Sequence, residues 1–199
     1  MSDSRFDDAV AEFSRIHAAD PSTEHVEGTA RPRELAQTER VVRWVARLAP
    51  DASEALRLAA HGQHLGRYRV PRTSYPEGRV GYLQWRSELG RLHAEAAAVV
   101  LEQVGYPAEV VQQVRRIVQK QGLRHDPEVQ TMEDALCLTF LEHELDDFAA
   151  KHADDKLVDI LQKTWRKMSP RARELALALP LEGRARALVE RAVGDAARE

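Results

Sequence analysis

The sequence predicts an all-α protein, a single-domain helical bundle over residues 1–199. Three observations carry that expectation. Apolar residues recur at spacings of three and four through most of the chain, which is the period of one helix face. No run alternates apolar and polar residues over the length of a strand, and no fixed-period repeat, low-complexity tract or linker interrupts the pattern. The stretch from Asp126-Pro127 to about Ala150 is apolar on most sides, as expected of a helix at the centre of a bundle.

Taken in order, a first helix is expected over 5–19, with Phe6, Val10, Phe13 and Ile16 on one stripe. Asp20-Pro21-Ser22 ends it, and a polar connection carrying a solvated His25 leads to Pro32. Proline suits the first turn of a helix, where its missing N–H would have no partner anyway. The second helix therefore runs from Pro32 to about Leu48 and buries Leu35, Val41, Val42, Val45 and Leu48. A third carries Leu56, Leu58, Ala59 and Ala60 into His61 and His64. Residues 67–80 are rich in proline and glycine and read as a loop. A long helix from about Gly81 to Gly105 buries Leu83, Leu89, Leu92, Ala96, Val99 and Val100. The next, 107–120, buries Val110, Val111, Val114, Ile117 and Val118. The central helix follows, then shorter ones over 154–165, 170–178 and 182–197.

A net charge of −3 gives no global reason to expect nucleic acid as a partner. Cys137 is the only cysteine, which excludes an intramolecular disulfide and fits a reducing compartment. Met1 to Asp8 lacks the apolar segment of a signal peptide, and no stretch is apolar for long enough to span a bilayer. The expectation is a cytoplasmic protein with no membrane partner.

Arginine and aromatic residues are concentrated beside the two histidines. Residues 67–86 carry Arg67, Tyr68, Arg69, Arg72, Tyr75, Arg79, Tyr82, Trp85 and Arg86. Guanidinium groups present paired donors that match phosphate or carboxylate, and aromatic rings stack on bases or wall a pocket. The run therefore reads as a site for a small anionic ligand, with His61, Gln63, Arg69, Arg72, Tyr75, Arg79, Trp85 and Arg86 as candidate contacts. The competing reading is a long loop braced by its prolines and aromatics. On one helix, His61 and His64 would share a face and could hold a divalent metal, or a phosphate when protonated. They could equally be polar positions on a half-buried face. His93, at the start of an apolar run, and Glu133 and Glu142, in the central helix, are the other candidates, since a buried carboxylate must pair or bind a cation. Cys137 reads as core, and Lys163, Arg166 and Lys167 as a solvated helix end.

The order of these pieces resembles the HD-domain metal phosphohydrolases. Gln63-His64 stands where that family has its His-Asp doublet, His93 resembles its next histidine, and Glu142 lies near the place of its last aspartate. The likeness covers roughly 33–148, with the helices of 153–197 outside it. It implies a divergent HD-like hydrolase in which His64, His93 and Glu142 hold a divalent cation and Lys120 and Glu142 act in catalysis. Gln37 and Gln63 replace two of that family's ligands, so the implied metal is weakly held or dependent on substrate. A more specific resemblance, through Gln63-His64, Pro71-Arg72, Tyr75-Pro76, Gly81-Tyr82, Trp85-Arg86, Glu133-Asp134 and Lys163-Thr164-Trp165, is to the domain-of-unknown-function family 4202. That family implies no reaction. A non-catalytic binder of an anionic metabolite and a helical interaction adaptor remain as alternatives.

Overall fold

The computed structural model describes residues 4–196 and is all-α, with ten α-helices and one small hairpin among the described residues. It divides into two compact units, Met1–Met132 and Glu133–Glu199. The division falls inside a helix rather than in a linker. Among the described residues no helix is long and apolar enough to cross a membrane.

In the first unit, α1 (Ser4–Ala18) packs its Phe13 and Ile16 side inward. The polar connection then departs from expectation, for it forms a hairpin of β1 (Thr23–Val26) and β2 (Thr29–Pro32). Glu27 and Gly28 both take positive φ, 50° and 79°, the geometry of a tight two-residue hairpin turn. These strands are short and largely exposed, so no apolar alternation announces them. Arg31 grips Glu39 through two bonds of 2.8 and 2.6 Å, fixing the hairpin to α2 (Arg33–Leu48). Buried Asp20 accepts from the backbone N–H of Ser22 and of Glu34, tying the end of α1 to the start of α2.

Ser53 caps α3 (Glu54–Gly62) by accepting from Leu56 N at 3.1 Å. Two short 3-10 turns, Arg67–Arg69 and Arg72–Ser74, organise the loop that follows. Helix α4 (Gly78–Gln103) begins three residues earlier than the glycine pattern suggested. Its buried stripe also differs in phase: Gly81, Trp85, Leu89, His93, Ala97 and Val100 face inward, while Leu83 and Val99 are exposed. Apolar residues surround this helix, so periodicity alone does not choose the face. The choice places His93 on the packed side. Helix α4 closes with Tyr106 N bonded to Leu101 O and Gly105 N to Glu102 O, a Schellman end with glycine at its left-handed position. Helix α5 (Ala108–Val118) follows, and α6 (Pro127–His143) begins with Asp126 capping Glu128 and Val129.

In the second unit, the expected central helix is interrupted at Glu144, giving α7 (Leu145–Ala149) as a separate short helix. Helices α8 (Asp154–Lys167), α9 (Pro170–Leu177) and α10 (Gly183–Ala196) follow, and residue 197 lies outside the described residues. Buried Asp134 accepts from Ser169 N at 2.9 Å, and Ser169 in turn caps Ala172. Arg184 donates to the carbonyls of Ala149 and His152 and to Asp154, which joins α10 to the ends of α7 and α8.

Candidate functional site

The site grows from the end of α3. Gln63 is extended and ends the helix, and His64 follows with φ of 62°. The expected shared helix face of His61 and His64 therefore does not form, because Gln63 leaves the helix in an extended conformation and His64 is itself left-handed. His61 points to Phe6, with its ring edge-on at 6.1 Å. His64 turns instead toward His93, their ring centroids 5.6 Å apart. A left-handed backbone costs a non-glycine residue about 1–2 kcal/mol, so the surrounding packing must hold it.

Lys120 repeats the arrangement. Gln121 N bonds to Arg116 O and Lys120 N to Ile117 O, so α5 ends in the same Schellman form that closes α4. The left-handed position, usually glycine, is here Lys120 with φ of 58°. Its charge reaches His64, as do those of Arg67 and Arg86. Lys120, at the end of α5, thus lies within electrostatic reach of His64.

Electrostatics keep both histidines neutral. Burial is the largest cause of the depression at His64, and Arg67, His93, Lys120 and Arg86 push it further down. Burial also lowers His93 to about 4, opposed by its bond to Leu65 O and assisted by Arg67 and Arg86. The His93 Nδ1–H donates to Leu65 O at 2.9 Å, because a carbonyl can only accept. That bond fixes the tautomer and leaves Nε2 as a lone-pair acceptor, the arrangement also used to orient metal-binding histidines.

Arg67 lies over the Trp85 ring at 5.5 Å and 3.9 Å from Glu34, while the Trp85 indole N–H donates to Val70 O at 2.9 Å. Arg67 belongs to the arginine-rich run read from the sequence but was not among the candidate contacts. Buried Gln63 brings an Oε1 with no hydrogen-bond partner to the same helix end. Arg86 is exposed on α4.

The other candidates separate. Arg69 is exposed and lies against Tyr68, and Arg79 is exposed in the first turn of α4. The Tyr75 hydroxyl is tied to Glu88, which raises its pKa. In the second unit Glu142 is exposed and paired with His143 at 3.1 Å, so the buried carboxylates of α6 are Glu133 and Asp134. Glu133 lies 3.5 Å from Lys167 Nζ. Among the described residues, no group of three or more His, Cys, Asp or Glu side chains gathers as a metal site.

Arg72 is committed to the loop. Its guanidinium donates to the carbonyls of Tyr75, Pro76 and Gly78 at 2.9, 2.8 and 3.3 Å. Arg72→Ala is expected to destabilise the protein by about 1–3 kcal/mol, the range for removing bonds to a charged group. Arg72→Lys should not rescue it, since an ammonium cannot span three carbonyls in a fixed plane. Thermal unfolding and limited proteolysis within residues 67–80 check this. An unchanged midpoint and cleavage rate would contradict it.

The match to known proteins covers this whole framework. The family model described as "Domain of unknown function (DUF4202)" matches residues 7–189. The chain belongs to the DUF4202 family. No curated protein and no solved structure shows significant similarity to it. Several residues through which this DUF4202 chain resembled the family have structural work: Arg72 braces the loop, Asp134 anchors the start of α9, and the Trp165 carbonyl and ring both meet Arg173. Gln63 and His64 instead belong to the cationic site.

Proposed function

We propose that this DUF4202 protein binds a small phosphate-bearing, nucleotide-like molecule where His64, His93, Arg67, Arg86 and Lys120 converge. The observation that supports it most is the pairing of His64 and Lys120, both in left-handed positions that glycine would occupy without strain. Such strain persists at functional sites because the side chain is needed there. Arg67, Arg86 and Lys120 place positive charge about two neutral imidazoles, so added negative charge is favourable there even with Glu34 3.9 Å from Arg67. A phosphate would supply that charge, and raise the pKa of His64 as it did so.

A second reading, an HD-like phosphohydrolase, draws support from His93, whose oriented Nε2 suits proton transfer or a metal. On that reading Lys120 and Arg86 neutralise charge developing on the phosphoryl group. Two imidazoles alone are an incomplete donor set, and nearby cations raise the cost of a dication. A divalent cation would therefore be weakly held or enter with the substrate.

The test uses adenosine monophosphate and inorganic phosphate as probes, by calorimetry at pH 7.5 and 6. His64→Gly and Lys120→Gly remove the chemistry while relieving the left-handed backbone, and the amide spectrum of each variant checks that the protein stays folded. Each is expected to weaken binding about tenfold or more. Binding should take up protons and tighten as the pH falls. Unchanged affinity in both variants would overturn the assignment. Release of phosphate with added divalent metal would select the hydrolase reading.

A further inference from the structure

The first unit contains a cavity whose lining does not include His64. It has a volume of about 110 Å³ and lies where α1, α2, the α2–α3 turn and α3 meet. Phe6, Val42, Val45 and Ala60 wall it, and its two polar side chains are His61 and Arg57. We propose that this cavity binds a small apolar carboxylic acid, its tail against the valine and alanine walls and its carboxylate between Arg57 and His61. This site goes beyond the phosphate reading and does not depend on it.

The volume sets the tail. An apolar cavity of about 150 Å³ holds a benzene-sized molecule, so this smaller one suits a tail of about four carbons. The walls exclude a strongly hydrated dianion such as phosphate, since one partly exposed arginine would not offset its desolvation. The same arginine repels an amine.

Both polar groups have capacity to spare. Among the described residues the His61 ring nitrogens make no hydrogen bond; the ring only meets Phe6 edge-on. The His61 ring nitrogens are not among the buried polar atoms left without a partner, so they are open to water and to a ligand alike. Burial, assisted by His17, lowers His61 to about 4, so near neutrality it is a neutral imidazole with one N–H to donate. Arg57 lies over the Phe6 ring at 4.9 Å, and 52% of its side chain remains exposed. Its nearest carboxylate oxygen, on Glu54, is 3.8 Å away, outside bonding distance, while the other Glu54 oxygen accepts from the Tyr106 hydroxyl at 2.8 Å. Arg57 and His61, four residues apart on α3, both line the cavity.

The experiment titrates valerate into the full-length protein, following amide and histidine ring resonances, with pentanol and pentylamine as matched probes. Saturable shifts at Phe6, Ala60 and the His61 ring are expected with valerate, weaker ones with pentanol and none with pentylamine. Arg57→Gln should weaken valerate about tenfold and erase its advantage over pentanol. Ala46→Leu, which extends a lining residue into the space, should abolish binding while the protein stays folded by its amide spectrum. Saturating inorganic phosphate should leave valerate binding unchanged. Absence of saturable binding, equal binding of pentanol, or displacement by phosphate would each overturn the proposal. Displacement would assign the acid to the His64–His93 site instead.

Discussion

Acidification from pH 7.5 to 4.5 is expected to remove several kcal/mol of stability, with most of the loss between about pH 6.5 and 4. His61 and His93 are held at about 4 and His64 well below its ordinary 6.5, while His17 is lowered too. In each case burial is the largest cause. In the unfolded chain these imidazoles titrate near 6.5. Between the two values the unfolded state holds more protons than the folded one, so stability rises with pH through this window. The contribution is complete above the unfolded value and lost as pH falls to the folded one. For His93, 3% exposed, the interval corresponds to about 3 kcal/mol. His61 is less enclosed, and its share is smaller. The Glu12–Arg15 and Glu39–Arg31 pairs hold their carboxyls below the usual range, so their titration falls at lower pH. Urea unfolding at pH 7.5, 5.5 and 4.5, repeated in His93→Gln, measures the effect. The glutamine amide can keep the bond to Leu65 O and does not titrate, so its pH slope should be visibly shallower. Equal stability of the parent at pH 7.5 and 4.5 would contradict the burial of neutral imidazoles.

Gly81→Ala is expected to cost about 2–4 kcal/mol, in the range of severe steric substitutions. For a chain of this length that corresponds to a fall in Tm of roughly 5–12 °C. Gly81 is buried in the first turn of α4, and a Cβ there would lie 1.9 Å from Pro76 O and 2.7 Å from Pro76 C. Both are backbone atoms, so no rotamer change relieves the overlap. The loop must withdraw, and with it the carbonyls of Tyr75, Pro76 and Gly78 that Arg72 holds. Gly90, in the same helix, supplies the control. Nothing lies within 4 Å of a Cβ built there, so Gly90→Ala should be neutral or stabilising by up to about 1 kcal/mol. Similar melting temperatures for the two variants would show that helix propensity, and not the close approach at Pro76, governs Gly81.

The helices themselves were legible because their signal is local. Apolar spacing, Pro32 at the start of α2, Ser53 before α3 and Gly105 after α4 each act within a few residues, and the structure places helix ends close to where these signals fall. The concentration of arginine and aromatic residues around His64 was legible for the same reason. What escaped was decided by contacts between distant segments. Residues 23–32 form a hairpin because Arg31 meets Glu39 and Arg40 meets Glu24, pairings that leave no period in the sequence. The face of α4 that turns inward depends on Leu65 offering a carbonyl to His93 across 28 residues. His61 and His64 part because Gln63 leaves the helix extended and His64 is itself left-handed, a choice that packing enforces against local preference. Arg72 looked like a ligand contact because a guanidinium has the same donors for a phosphate as for a carbonyl; only the positions of Tyr75, Pro76 and Gly78 decide which it meets. The sequence determined which segments are helical and which chemical groups are available. The tertiary structure decided which of those groups meet, because burial, charge and hydrogen-bond partners are properties of neighbours in space.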